Sequence, residues 1–209
     1  MNKKLSVSDG FIRRNSVLSG LMVISPIIVC GNTIMNALAL IYAFSAITFT
    51  SVAVGAFVPK KLPYGVRIII YTCLGALSYI PVKAAAEEFF PGVIDRTGIY
   101  FMLIAVNSLI TVQSETKFYR FTKGEMIISL IRHILGFDAV MLVISAIREL
   151  IAYGTFCGRV VDADIVISGL GLPFGGFIIL GIACGIYRCI APNSKDTDDF
   201  GGDSDVYNF

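Results

Sequence analysis

The chain has no tryptophan, a single histidine (His133) and only 15% charged residues. One histidine cannot build a histidine-rich metal site, and the cysteines do not make up for it. Cys30, Cys73, Cys157, Cys184 and Cys189 are scattered, with no C-x-x-C and no Cys/His ligand spacing. An odd count in apolar surroundings also argues against a disulfide framework, and each reads most simply as a small buried hydrophobe. There is no glycine-rich nucleotide loop and no nucleophile–base pair, so no catalytic site is visible. A net charge of +2 gives no case for a nucleic-acid partner. What is abundant is apolar: 56% hydrophobic residues and a mean hydropathy of +0.77. That is the composition of a protein whose solvent is the lipid bilayer.

Six apolar runs can be drawn: Val17–Cys30, Ile34–Val58, Val66–Ala86, Gly98–Val112, Met126–Tyr153 and Ile165–Ile190. Polar and apolar residues do not alternate along them, so in hydrocarbon they must be helices, and the fold class is all-α. The second, fifth and sixth are long enough to span outright, and the third if nearly upright. The first and fourth are short, 14 and 15 residues. Even the longer makes only about 22 Å of helix against a hydrocarbon core of ~30 Å. Both are also interrupted. The first contains Ser25-Pro26, where proline removes a backbone donor, and ends in the turn-prone Gly31-Asn32-Thr33. The fourth contains Asn107-Ser108 and runs into Gln113, Ser114 and Glu115. Short, broken apolar segments in corresponding places of two halves point to a binding site. Ser25 and Ser108 hold comparable positions in the two.

The organisation that follows is a basic N-terminus (1–16), a six-segment membrane domain (17–190) and an acidic tail (191–209). The tail lacks the apolar content to build a core and is expected to be disordered. A basic stretch before an apolar run also opens signal peptides, but here the basic region is long and no small-residue cleavage site is convincing. If the N-terminus is cytoplasmic, twelve Lys and Arg fall on the inner side and only Lys83, Arg96 and Arg159 on the outer. That bias places both termini in the cytoplasm. Three crossings per half make the second half (about 98–190) enter from the face opposite the first (about 17–86). The result is a pair of inverted three-helix repeats with their short segments approaching from opposite sides.

Several stretches, in order, carry a resemblance. They are Ile147-Arg148-Glu149-Leu150-Ile151 closing the fifth run, Leu172-Pro173-Phe174-Gly175-Gly176-Phe177-Ile178 in the sixth, Asn36-Ala37-Leu38, Gly136-Phe137, and Asn107 with Glu115. Over about residues 15 to 190 the chain resembles the small membrane subunits of ion-translocating Rnf and Nqr oxidoreductases. The likeness is to the E-type subunit of Rnf and to the equivalent D-type subunit of the sodium-pumping NADH:quinone reductase. The resemblance implies a multi-pass protein of the bacterial cytoplasmic (inner) membrane that moves electrons in a complex coupled to ion transport. It implies partners among the other Rnf-like membrane subunits, above all a paralogue of opposite topology. It also implies a [2Fe-2S] cluster shared between the two, each giving one cysteine from each short segment, because thiolate suits iron in a dry site.

At those two positions this chain has Ser25 and Ser108. A hydroxyl is far harder to deprotonate than a thiol, so no normal cluster is expected on this chain alone. Cys30, five residues beyond Ser25, is the alternative ligand. A diverged membrane scaffold or transport paralogue that has lost the cluster is the second functional reading. Asp138, mid-way along the fifth run, is a functional candidate because an intramembrane carboxylate is costly. Its plain reading is a partner such as Arg132 or His133. Arg148 and Glu149 are expected to anchor the helix end at the interface and to cap a loop.

Overall fold

The computed structural model describes residues 24–59, 62–107, 110, 123–161 and 166–190. The N-terminal basic region, Ser108, Glu115 and the acidic tail lie outside the described residues. Seven helices and one small hairpin are described: α1 (Ile24–Cys30), α2 (Ile34–Gly55), α3 (Tyr64–Phe89), α4 (Val93–Thr97), α5 (Ile99–Leu103), α6 (Lys123–Tyr153), β1 (Thr155–Phe156) paired antiparallel with β2 (Arg159–Val160), and α7 (Pro173–Ile190). Single 3₁₀ turns cover Ile104–Val106 and Ser168–Gly171. Three of the helices, α2, α3 and α6, are long and apolar enough to cross a membrane. The protein is thus a mostly helical membrane protein.

α2 is the central post. It starts where Thr33, in extended backbone, accepts from the Asn36 amide through Oγ1 at 3.3 Å, an N-cap that satisfies one orphan donor. It packs against α3 on one side and α6 on the other. Ala37, Leu40, Ala43, Phe44 and Ile47 are all buried there. The Phe44 and Phe137 rings stack with centroids 3.9 Å apart, locking α2 to α6. Hydroxyls facing outward are satisfied by their own helices, as water-free surroundings demand: Thr50 donates to the Ala46 carbonyl at 2.6 Å, Thr72 to Ile68 at 3.0 Å and Ser78 to Leu74 at 2.8 Å. Outward faces of α3 (Val66, Ile69, Leu77, Ile80) and α7 (Phe177, Ile178, Ile182, Ile186) are exposed and apolar, suited to lipid or to a neighbouring helix.

Two segments differ from the sequence reading. The third run is the more extended one: α3 covers 26 residues in spite of Pro81 within it. The sixth run does not span outright as one helix. Its first part is the 3₁₀ turn Ser168–Gly171, Leu172 is extended, and α7 begins only at Pro173. The cause is local. Gly169 and Gly171 weaken regular helix, and proline is disfavoured inside a helix but well placed at its first turn. The fourth run is broken repeatedly: α4 ends at Gly98, α5 lasts five residues, a 3₁₀ turn follows, and Asn107 is extended.

Close backbone approaches hold the short pieces in place. A Cβ on Gly176 of α7 would stand 2.7 Å from the Ile28 carbonyl oxygen and 3.1 Å from an Arg148 nitrogen. A Cβ on Gly75 of α3 would collide with the Ala105 carbonyl. Gly176→Val should therefore lower the thermal unfolding temperature of the detergent-purified chain, by the ~1–3 kcal/mol typical of overpacking. Gly181→Ala, on the same helix with nothing within 4 Å of its Cβ position, should leave that temperature unchanged or raise it.

Candidate functional site

Helices that stop inside a membrane leave carbonyls and amides without partners, and there is no water to take them. This chain meets that demand with two adjacent side chains near the end of α6. Arg148 is completely buried. Its NH1 donates to the Ile27 and Ile28 carbonyls of α1, at 3.3 and 2.8 Å. Its Nε donates to Leu170 at 3.3 Å, and NH2 to Gly171 at 3.0 Å and Leu172 at 3.1 Å. Guanidinium has five N–H donors, so all five are used, each on a backbone carbonyl at a helix break. The positive charge also sits where the C-terminal dipole end of α1 is negative. Glu149, buried beside it, does the opposite work. Oε2 accepts from the Ile34 amide at the start of α2, at 2.6 Å. Oε1 accepts from the Gly158 amide at 2.9 Å and the Thr155 hydroxyl at 3.3 Å, tying down the hairpin.

The expectation of an interfacial anchor at Arg148 is therefore corrected. A snorkelling arginine ends in water, whereas this one ends in the carbonyls of two broken segments. It does so because Gly176 lets α7 come close enough for the fork to reach across. Glu149 does cap a loop, and caps α2 as well.

The break in the fourth segment is closed by one amide. Asn107 is buried. Its Nδ2 donates to the Ile104 carbonyl at 2.9 Å and to Thr48 Oγ1 of α2 at 3.2 Å, while its Oδ1 accepts from the Ile110 amide at 3.0 Å. Cys30, buried at the end of α1, points its thiol at the Thr97 carbonyl, 4.0 Å away, just before α5 begins. α1 packs against α5, so the two interrupted segments meet. Ser25 lies in the first turn of α1 and is exposed. Ser108 and Glu115 are outside the described residues.

Asp138 is half-buried in α6, and its partner is the Ser45 hydroxyl of α2, which donates to Oδ2 at 3.1 Å. The sequence pointed to a cation on α6 instead. Ser45, Thr48 and Ser51, three residues apart on one apolar helix, escaped notice. Their spacing puts the three hydroxyls along one stretch of the α2 surface, a signal present in the sequence.

The residues that could hold an iron–sulfur cluster fit it poorly. At the first family position stands an exposed hydroxyl. Among the described residues only Cys30 offers a thiol close to a break, and no group of three or more His, Cys, Asp or Glu could hold a metal ion.

Apolar helices of spanning length, with broken segments stapled from within, are the features of a polytopic membrane protein. Residues 4–184 match the family model described as "Rnf-Nqr subunit, membrane protein", and the chain belongs to that family. It is 27% identical over 190 residues to the E-type subunit of the ion-translocating oxidoreductase complex of Haemophilus ducreyi, covering 83% of each chain. It is 25% identical over 201 residues to the D-type subunit of the Na(+)-translocating NADH-quinone reductase of Chlamydia trachomatis, covering 90% of this chain and 94% of the relative.

Two substitutions check the staple. Arg148→Met leaves several buried carbonyls unsatisfied and should cost on the order of 3 kcal/mol or more of stability. Arg148→Lys keeps the charge but offers three donors on a single nitrogen, and should fall between wild type and Arg148→Met in thermal unfolding.

Proposed function

We propose that the chain is an integral membrane subunit of an Rnf-type ion-translocating electron-transport complex in the bacterial inner membrane. The observation that carries this reading is the family membership over nearly the whole chain, with relatives named as subunits of ion-translocating oxidoreductases. The subunit works with other Rnf-like membrane subunits, foremost a paralogue of opposite topology. Its membrane domain (17–190) is a six-segment inverted repeat with both termini cytoplasmic. Support comes from the two broken segments, each closed by a buried polar side chain, and from the contact between the end of α1 and the start of α5.

In this reading the chain contributes the scaffold and holds no normal [2Fe-2S] cluster on its own, because Ser25 and Ser108 stand where the family uses thiolates. Arg148, Glu149 and Asn107 fix the backbone at the breaks. When present in the family's paired subunits, the cluster supplies one-electron transfer at the membrane midplane. The same serines support a second reading, a diverged scaffold or transport paralogue without electron transfer.

Co-expression with all candidate Rnf-like subunits should bring the partner subunits down with the tagged chain in detergent. Isolation of the chain alone under every condition would overturn the assignment. Reporter fusions after Lys61 and after Lys123 should read cytoplasm, and a fusion between Glu87 and Asp95 should read the outside. In anaerobic preparations with the partner, Ser25→Cys combined with Ser108→Cys should create a reduced iron–sulfur resonance absent from wild type.

A further inference from the structure

Asp138 sits midway along the 31-residue α6 and is bound unequally. Oδ2 accepts from Ser45, while Oδ1 is closed off from solvent and has no hydrogen-bond partner. The stacked Phe44 and Phe137 rings, neighbours in sequence of Ser45 and Asp138, hold α2 and α6 together at this level. A carboxylate kept for structure would have both oxygens bonded, because an orphaned one in low dielectric is costly. This one keeps a ligand position open.

Further hydroxyls follow along α2. Thr48 and Ser51 follow Ser45 along α2 at steps of about 4.5 Å, and both are fully buried. Thr48 Oγ1 receives the Asn107 amide, and Ser51 Oγ has no partner. The Asp138–Ser45 bond and the Asn107–Thr48 bond thus lie one helical step apart on α2. The pairs Ile34–Glu149 and Ser45–Asp138 set α2 and α6 antiparallel in constant register, so Ser51 falls at the level of Arg132.

The nearest charges on α6 are Arg132 and His133, about 8–9 Å away along the axis. Arg148 and Glu149, toward the other end, are engaged with backbone. α2 carries no charged residue, and its titratable side chain is Tyr42. α7, which also packs on α6, carries Cys184, Tyr187, Arg188 and Cys189.

We propose that Asp138, through its open Oδ1 and beside the Ser45 hydroxyl, forms an exchangeable site for a small monovalent cation midway along α6. Carboxylate, hydroxyl and carbonyl oxygens are the donors a hard cation takes. The same oxygens accept a proton, which would form an O–H bond at Oδ1 and leave as the site empties. A proton and a sodium ion are therefore two occupants of one chemistry. The place of this site in transport rests on the proposed membership of an ion-translocating complex, but binding itself requires no partner.

The test uses the full chain in detergent and the apolar reagent dicyclohexylcarbodiimide, which modifies protonated carboxyls in apolar surroundings, read by peptide mass spectrometry. Modification of Asp138 should occur in acidic buffer and be lost in alkaline buffer and in Asp138→Asn. If sodium, compared with choline at constant pH, also suppresses it, the site takes sodium. Ser45→Ala should then weaken that protection. If only alkali suppresses it, the site takes protons. Modification that ignores both pH and sodium, or none in folded protein at any pH, would overturn the proposal. Neither failure touches the co-purification result, and a chain that shows this labelling but never co-purifies with partner subunits would sink the complex assignment alone.

Discussion

The fold depends on the cost of stopping a helix where there is no water. Each interrupted segment creates amides and carbonyls that lipid cannot satisfy. Arg148 and Glu149 meet this cost from one point on α6, the cation taking carbonyls and the carboxylate taking amides. Because their partners diverge, three separate elements (α1, the start of α2 and the turn before α7) are tied to one helix end. A hydrophobic substitute would pack, but it would leave the broken ends without partners. The two buried charges are there to permit discontinuity, each bonded to backbone at a broken end.

Asn107 solves the same problem with a neutral group. Its amide carries donors and an acceptor on one planar unit, so it serves the carbonyl before the break and the amide after it. The charged solution appears where several segments converge, and the neutral one where a single chain turns. Both leave backbone fixed without regular helix, and this is the arrangement in which irregular backbone survives at membrane depth.

Much of this was readable in the sequence. Composition alone indicated a membrane protein, and the run lengths marked the first and fourth segments as defective. The motif around Arg148-Glu149 supported the family. What could not be read was the destination of those side chains. Position near a helix end made Arg148 look like a surface anchor, because nothing local reveals that Gly176, 28 residues later, opens a passage for its fork. The sixth run misled for a different reason: hydropathy counts apolar residues and does not see that glycines and Pro173 stop a helix from forming through them. Asp138 was recognised as costly, but its partner lay on another helix at a sequence distance of 93 residues.

That long reach also sets an order of events. Ile28 and Arg148 are 120 residues apart, and Leu172 lies further still. During synthesis α1 has no partner for its terminal carbonyls until nearly the whole membrane domain has been made. Arg148 therefore ties chain made long before it to chain made after it, and the broken end of α1 is secured only once the later helices are in place.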